Sequence, residues 1–170
     1  MLVSGNEQWV AKARFLSTQA KEDTLHYEHK EIGYNYRMSN VLAAIGVAQM
    51  EVLEERVNRR REIFELYQKM LGGYEEIKFM PEVQGSRGNR WLTTLTFDKT
   101  DPKKVIHALE EGNIESRPLW KPMHLQPLFC DALAVENGTS QRLFEEGICL
   151  PSGSSMDDSD IARVCEMIQK

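Results

Sequence analysis

Long apolar runs are missing from this 170-residue chain. No segment approaches the roughly 20 apolar residues needed to cross a bilayer. Nor does the N-terminus show a charged region leading into an apolar one, so no export signal and no membrane association are expected. Cysteine is scarce: Cys130, Cys149 and Cys165 are widely spaced and form no C-x-x-C pair. That spacing indicates neither a disulfide framework nor a zinc site, and a reducing cytoplasm fits it best. His26 and His29 could supply two metal ligands, but no partner pair follows at metal-site spacing, so no metal is expected. An excess of positive charge is also lacking. With 26 acidic and 21 basic side chains the net charge is -5, which gives no general attraction to nucleic acid or anionic membrane. The triplet Arg59, Arg60, Arg61 lies among Glu54, Glu55, Glu62 and Glu65 and reads as a solvated, salt-bridged helix face. There is no internal repeat and no low-complexity linker. The length suits one sizeable domain burying about 70 per cent of its surface, without room for a second full one.

What is present reads as alternating helical and extended segments. Residues 1–5 look like the tail of a strand, and Asn6 caps a helix to about Phe15 with Trp9, Val10 and Ala13 inward. Residues 16–30 have no sustained period and form a long loop in which His26, Tyr27 and His29 are candidates to face a ligand or partner. From Ser39 to Leu71 the pattern is helical, capped by Ser39 or Asn40, with a break predicted near Met50 because the run exceeds about 25 residues. Val41, Leu42, Ile45, Ala48 and Val52 make the first apolar stripe; Leu53, Val57, Phe64, Tyr67 and Leu71 make the second. A strand at 77–80 and a stronger one at 90–97 follow, the latter alternating Trp91, Thr93, Leu95 and Phe97 with polar or smaller residues. A helix from Asp101 and Pro102 to about Glu111 buries Val105, Ile106 and Leu109. A strand at 114–117, a short helix at 128–133, a helix at 140–146, a strand at 148–150 and a helix at 157–168 complete the chain. The predicted class is α/β, with a small mixed or antiparallel sheet and helices on one face.

Two stretches carry most of the chemistry. In GYNYRMSNVLAAIGVAQ (33–49), Gly33 permits a sharp turn, while Asn35 and Arg37 bring an amide and a guanidinium to a helix N-terminus. Such groups suit a phosphate or carboxylate, with free helical N–H groups adding to them. The plainer alternative is that Asn35 caps a turn and Arg37 pairs with a surface carboxylate. In RPLWKPMH (117–124), two prolines fix the backbone, so that Arg117, Trp120, Lys121 and His124 could offer two cations to a diphosphate, an aromatic plane to a base or sugar, and an imidazole to a hydroxyl or carboxylate. There the alternative is a core Trp120 with exposed cations.

The run 33–49 resembles the segment of the DegT/StrS family of nucleotide-sugar aminotransferases that reaches across a dimer interface. Pro122-Met-His-Leu-Gln-Pro127 resembles that family's substrate-end motif, and Cys149-Leu-Pro-Ser-Gly153 is similar to its C-terminal strand end. The three matches run through essentially the whole chain in the family's order. The resemblance implies a fold type I transferase dependent on pyridoxal phosphate, with 1–50 as the tail of the large cofactor-binding domain and interface segment, and 51–170 as the C-terminal α+β domain. It implies that Asn35 contacts the cofactor phosphate of the neighbouring subunit of a homodimer. Arg117, Trp120, Lys121 and His124 would position a nucleotide sugar, and the amino group would come from an amino acid such as glutamate. The form Arg-Pro-Leu-Trp-Lys-Pro most resembles the branch that aminates C4 of UDP-linked acetamido sugars. The family's covalent cofactor lysine lies upstream of the segment matching 1–4, so Lys12, Lys30 and Lys121 are not given that role, and the chain reads as a C-terminal portion, inactive alone. The rival reading is a non-catalytic domain that dimerises through 34–52.

Overall fold

The computed structural model describes residues 2–169 and divides into two compact units, Met1–Glu51 and Val52–Lys170. In the first, α1 (Glu7–Ser17) starts at Asn6, whose side chain accepts from the backbone N–H groups of Gln8 and Trp9 at 3.0 and 3.2 Å. Residues 2–5 are irregular rather than a strand end, and Met1 lies outside the described residues. The inner face predicted for α1 is not buried: Trp9 is exposed, and Val10 and Ala13 are only half-buried.

Gln19 and Ala20, both in the left-handed region (φ 68° and 49°), turn the chain back after α1. The returning segment is laced to the helix end. Gln19 N–H donates to the Tyr34 carbonyl at 3.0 Å, Tyr34 N–H to Leu16 at 2.8 Å and Tyr36 N–H to Ser17 at 3.0 Å, while Thr18 and Asn35 form an antiparallel bridge. Only glycine fits at position 33. A Cβ there would lie 2.2 Å from the backbone nitrogen of fully buried Ala20. Helix α2 (Asn40–Glu51) follows, and it buries none of its residues; Val41, Leu42 and Ile45 are more than half exposed. The predicted stripe has nothing within its own unit to pack on, although a helix apolar on most sides is normally covered.

In the second unit, α3 (Leu53–Leu71) begins just past the predicted break and buries Ile63, Phe64, Tyr67 and Leu71, whereas Leu53 is exposed. Strands β1 (Ile77–Phe79), β2 (Thr93–Phe97), β3 (Arg117–Pro118) and β4 (Gly147–Leu150) form one antiparallel sheet in the order β1-β2-β4-β3. Thr93 pairs with Leu150 and Arg117 with Cys149. Thr93, Leu95 and Phe97 point into the core, as their period demands. The strand starts at Thr93 rather than residue 90 because Arg90 is left-handed (φ 47°), which leaves Trp91 exposed before it. In place of the predicted strand at 114–117 stands the two-residue Arg117–Pro118, whose Pro118 has no N–H to give the ladder.

Helix α4 (Pro102–Glu111) is capped by Asp101, and α6 (Asp158–Ile168) by a reciprocal Asp157–Asp160 box. Helix α5 (Thr139–Glu146) leads into β4. The short helix predicted at 128–133 is reduced to a single 3-10 turn at its start. Two 3-10 turns, Met123–Leu125 and Pro127–Phe129, stand here, the second overlapping the predicted start, and each is introduced by a proline with fixed φ, Pro122 and Pro127. The core joins Ile63, Tyr67 and Leu71 of α3 to Leu109 of α4, Ile161 and Cys165 of α6, and Leu95, Ile148 and Leu150 of the sheet. Inside it the Tyr67 hydroxyl donates to the Pro151 carbonyl at 3.0 Å, and burial pushes its pKa up.

Candidate functional site

The lacing around Gly33 decides where Asn35 stands. Its backbone is fixed by the bridge to Thr18, its side chain is exposed, and its amide makes no hydrogen bond to the described residues. The Arg37 guanidinium is likewise exposed and unpaired among the described residues. The α2 N-terminus is less available than the sequence implies: Ser39 Oγ accepts from Leu42 N–H at 3.3 Å, Asn40 Oδ1 from Val41 N–H at 2.9 Å, and Ala43 N–H donates to the Ser39 carbonyl. An anion here would therefore be held by Asn35 and Arg37 and not by spare helical N–H groups.

The loop 18–30 is tied to itself. His29 Nδ1 bonds the Gln19 carbonyl at 3.0 Å, His26 lies 3.2 Å from Glu28, and Lys21 sits 4.5 Å from the Tyr27 ring centre. Lys12 pairs with Glu31 and Lys30 with Glu28. No group of three or more metal-binding side chains occurs among the described residues.

The second stretch belongs to the other unit, along β3 and the first 3-10 turn. Arg117 is forked onto Glu115, through Nε at 2.8 Å and a terminal nitrogen at 2.5 Å, so the cation expected to meet a diphosphate already has a carboxylate partner. Lys121 is exposed and its amine is unpaired among the described residues. His124 is half-buried with Nε2 shielded from solvent and without a partner among the described residues. Trp120 is not core: it is 62% exposed and packs on Trp91, with ring centroids 6.0 Å apart and planes inclined by 32°. A cavity of about 880 Å³ opens beside this pair, with Arg117, Ser116 and Cys149 in its wall. Burial pushes the Cys149 thiol up, so it is no ready nucleophile at neutral pH.

Trp91, Glu115 and Ser116 were not among the sequence candidates. The alternation along 91–97 places Trp91 on a buried strand face, and the Glu115–Arg117 pair, two residues apart where an irregular stretch enters β3, has no periodic signature.

The sequence profile of the DegT/DnrJ/EryC1/StrS aminotransferase family matches residues 1–169. The Bacillus subtilis (strain 168) protein EpsN, whose name places it provisionally among pyridoxal phosphate-dependent aminotransferases, is 51% identical over 173 residues, covering 99% of this chain and 45% of that protein. The GDP-perosamine synthase of Vibrio cholerae is 32% identical over 177 residues, covering 99% of this chain and 47% of its own length. Among solved structures, the aminotransferase TlmJ from Streptoalloteichus hindustanus superposes with a TM-score of 0.83 at 23% identity, over 96% of this chain and 44% of that one; this likeness concerns the fold. The chain thus spans about half the length of the curated relatives it matches.

Proposed function

This chain belongs to the DegT/DnrJ/EryC1/StrS aminotransferase family, and from that premise we propose that it serves the pyridoxal-phosphate-dependent transfer of an amino group from glutamate to a nucleotide-linked ketosugar. The observation that carries the reading is the free, exposed amide of Asn35, held in place by the Gly33 lacing and followed by an unpaired Arg37. An amide and a guanidinium fit a phosphate group. Asn35 would hold the cofactor phosphate of a neighbouring subunit, and the cofactor, when bound, supplies the electron sink for the reaction. The open apolar side of α2 fits burial against a second copy in a homodimer. On this reading 1–50 is the tail of the large domain with the interface segment, and 51–170 is the C-terminal domain. On the same reading, covalent attachment of the cofactor would fall to the part of the relatives that this chain does not span. Alone, the chain would be inactive.

In the second unit the residues act on the sugar nucleotide. Lys121 presents an unpaired ammonium to a phosphate, Arg117 can exchange Glu115 for one, and His124 Nε2 has an unmet hydrogen bond to give a substrate oxygen. Trp120 offers a plane. The Arg-Pro-Leu-Trp-Lys-Pro form favours C4 of a UDP-linked acetamido sugar over the GDP-linked type, in a cytoplasmic pathway. The test supplies the enzyme carrying these residues with pyridoxal phosphate, glutamate and either a UDP-linked or a GDP-linked 4-ketosugar, and measures 2-oxoglutarate. A preference of about ten-fold or more for the UDP sugar is expected. The opposite preference would overturn the branch. If neither sugar releases 2-oxoglutarate, the rival stands, a non-catalytic domain dimerising through 34–52.

A further inference from the structure

Beside the edge strand β3, the cavity of about 880 Å³ lies wholly within the second unit and is walled mainly by apolar side chains, among them Trp91, Trp120 and Phe144. Its size falls in the range of small-molecule sites. Each charged group in its wall is already engaged. Arg117 is forked to Glu115, Arg163 donates to the Gly112 carbonyl, and Asp160 completes the α6 capping box. With Arg163 and Asp160 spent within the fold and Arg117 left to trade Glu115 for a phosphate, the rest of the wall suits an uncharged planar group. One polar group in it is unspent: Ser116 Oγ is turned away from solvent and has no hydrogen-bond partner among the described residues, so a change of rotamer brings it to a ligand. A hydroxyl both donates and accepts, so it can meet the carbonyl or the imino N–H of a ring.

The aromatic part of this wall is held by an unusual backbone. Arg90, immediately before Trp91, is left-handed (φ 47°), a conformation that costs energy in a residue of its size. It is kept there by its guanidinium, which donates to the Met80 carbonyl at 3.0 Å and lies 3.8 Å from the centre of the Phe64 ring. The result is that Trp91 leaves the line of β2 and meets Trp120 instead of the core. Trp91 is 56% and Trp120 62% exposed, so each keeps an open face. The rings already pack on one another, so a planar ligand stacks on an open face and not between them.

We propose that this cavity takes the nucleobase of the sugar nucleotide, stacked on the Trp91–Trp120 pair, with Ser116 Oγ bonded to the polar edge of the base. The inference rests on the nucleotide-sugar reading above and names the part of that substrate which the cavity holds. It makes Trp91 a substrate contact and Arg90 a positioning residue.

The test uses the 170-residue chain with Trp9→Phe, so that tryptophan fluorescence comes from Trp91 and Trp120 alone. Uridine, UMP, GMP and ribose 5-phosphate are titrated in, with absorption corrected. The three base-bearing probes should quench saturably and ribose 5-phosphate should not. Adding Trp91→Leu or Trp120→Leu should weaken binding about five-fold or more, on the scale of one base–aromatic stack. Trp91→Phe, which keeps a ring, should retain most of the affinity and guards against a folding defect in the leucine variant. No saturable quenching by any base, equal binding of ribose 5-phosphate, or affinities untouched by both leucine variants would overturn the proposal. Amino transfer at unchanged KM in an active enzyme carrying Trp91→Leu would also overturn it while leaving the aminotransferase reading intact. Base binding by a chain whose enzyme transfers no amino group would support the proposal and defeat that reading alone.

Discussion

Replacing Gly33 by alanine should unfasten the segment that carries Asn35. The added Cβ would lie 2.2 Å from the Ala20 nitrogen and 2.3 Å from the Gln19 carbonyl carbon, both backbone atoms, so no side-chain rotation relieves the clash. The chain must either absorb the overlap, at about 1–3 kcal/mol, or part the two segments. Parting them loses up to three backbone hydrogen bonds, Gln19 to Tyr34, Tyr34 to Leu16 and Tyr36 to Ser17. At about 0.5–1.5 kcal/mol each, full separation costs roughly 1.5–4.5 kcal/mol. The cheaper route is to strain the contact and weaken one or two of these bonds, so a local loss of about 1–3 kcal/mol is expected. Amide hydrogen exchange read residue by residue is the assay. Protection at Tyr34 and Tyr36 should fall by about five-fold to a hundred-fold, while core amides of the second unit such as Leu95 hold theirs. Gly46→Ala serves as the control, because a Cβ there meets nothing within 4 Å. Unchanged protection at Tyr34 and Tyr36 in Gly33→Ala would refute the argument that close backbone approach positions Asn35.

Other substitutions probe separate parts of the account. Tyr67→Phe removes the buried donor to the Pro151 carbonyl and should lower unfolding free energy by about 1–3 kcal/mol in urea titration, an effect the argument loses if the variant matches the parent. Glu82 is bonded by Arg61, Gly88 N–H and the charge of Arg90, which together hold its pKa well below the ordinary 4.5, at about 2. A depressed carboxylate pKa means stability that is present above about pH 4.5 and lost as pH falls towards 2. Glu82→Gln should accordingly be less stable than the parent at pH 6, with the gap closing between pH 4.5 and 2; a gap independent of pH would contradict the pairing. Mixed dimers carrying Asn35→Ala on one subunit and a cofactor-lysine knockout on the other should stay active, because both lesions fall on one site. Dead mixed dimers would exclude a contact made across subunits.

Much of the fold was legible because its signals are local. Asn6 and Asp101 each cap the helix that their side-chain chemistry promises, and the alternation at 93–97 gives a strand with the predicted face inward. What escaped is non-local. The period of Val41, Leu42 and Ile45 says which face of α2 is apolar, but not whether its own unit supplies a cover. No residue type announces that Arg90 turns left-handed, since its support comes from Met80 and Phe64 elsewhere in the chain, and with that turn Trp91 changes sides. At the candidate site, Asn35 and the 117–124 segment stood out by their groups. That Arg117 is shared with Glu115, and that the first N–H groups of α2 are spent on Ser39 and Asn40, are facts of geometry.

The measurement closest to the central claim separates the two half-reactions by stopped flow in the active enzyme carrying Arg117→Ala or His124→Ala. If these side chains hold the nucleotide sugar, kcat/KM with the sugar should fall about ten-fold or more, the scale of one lost charged hydrogen bond. The half-reaction with glutamate alone should stay within about two-fold of the parent, because that step does not use the sugar site. Equal damage to both half-reactions would contradict the account and assign Arg117 and His124 to the fold or to the cofactor.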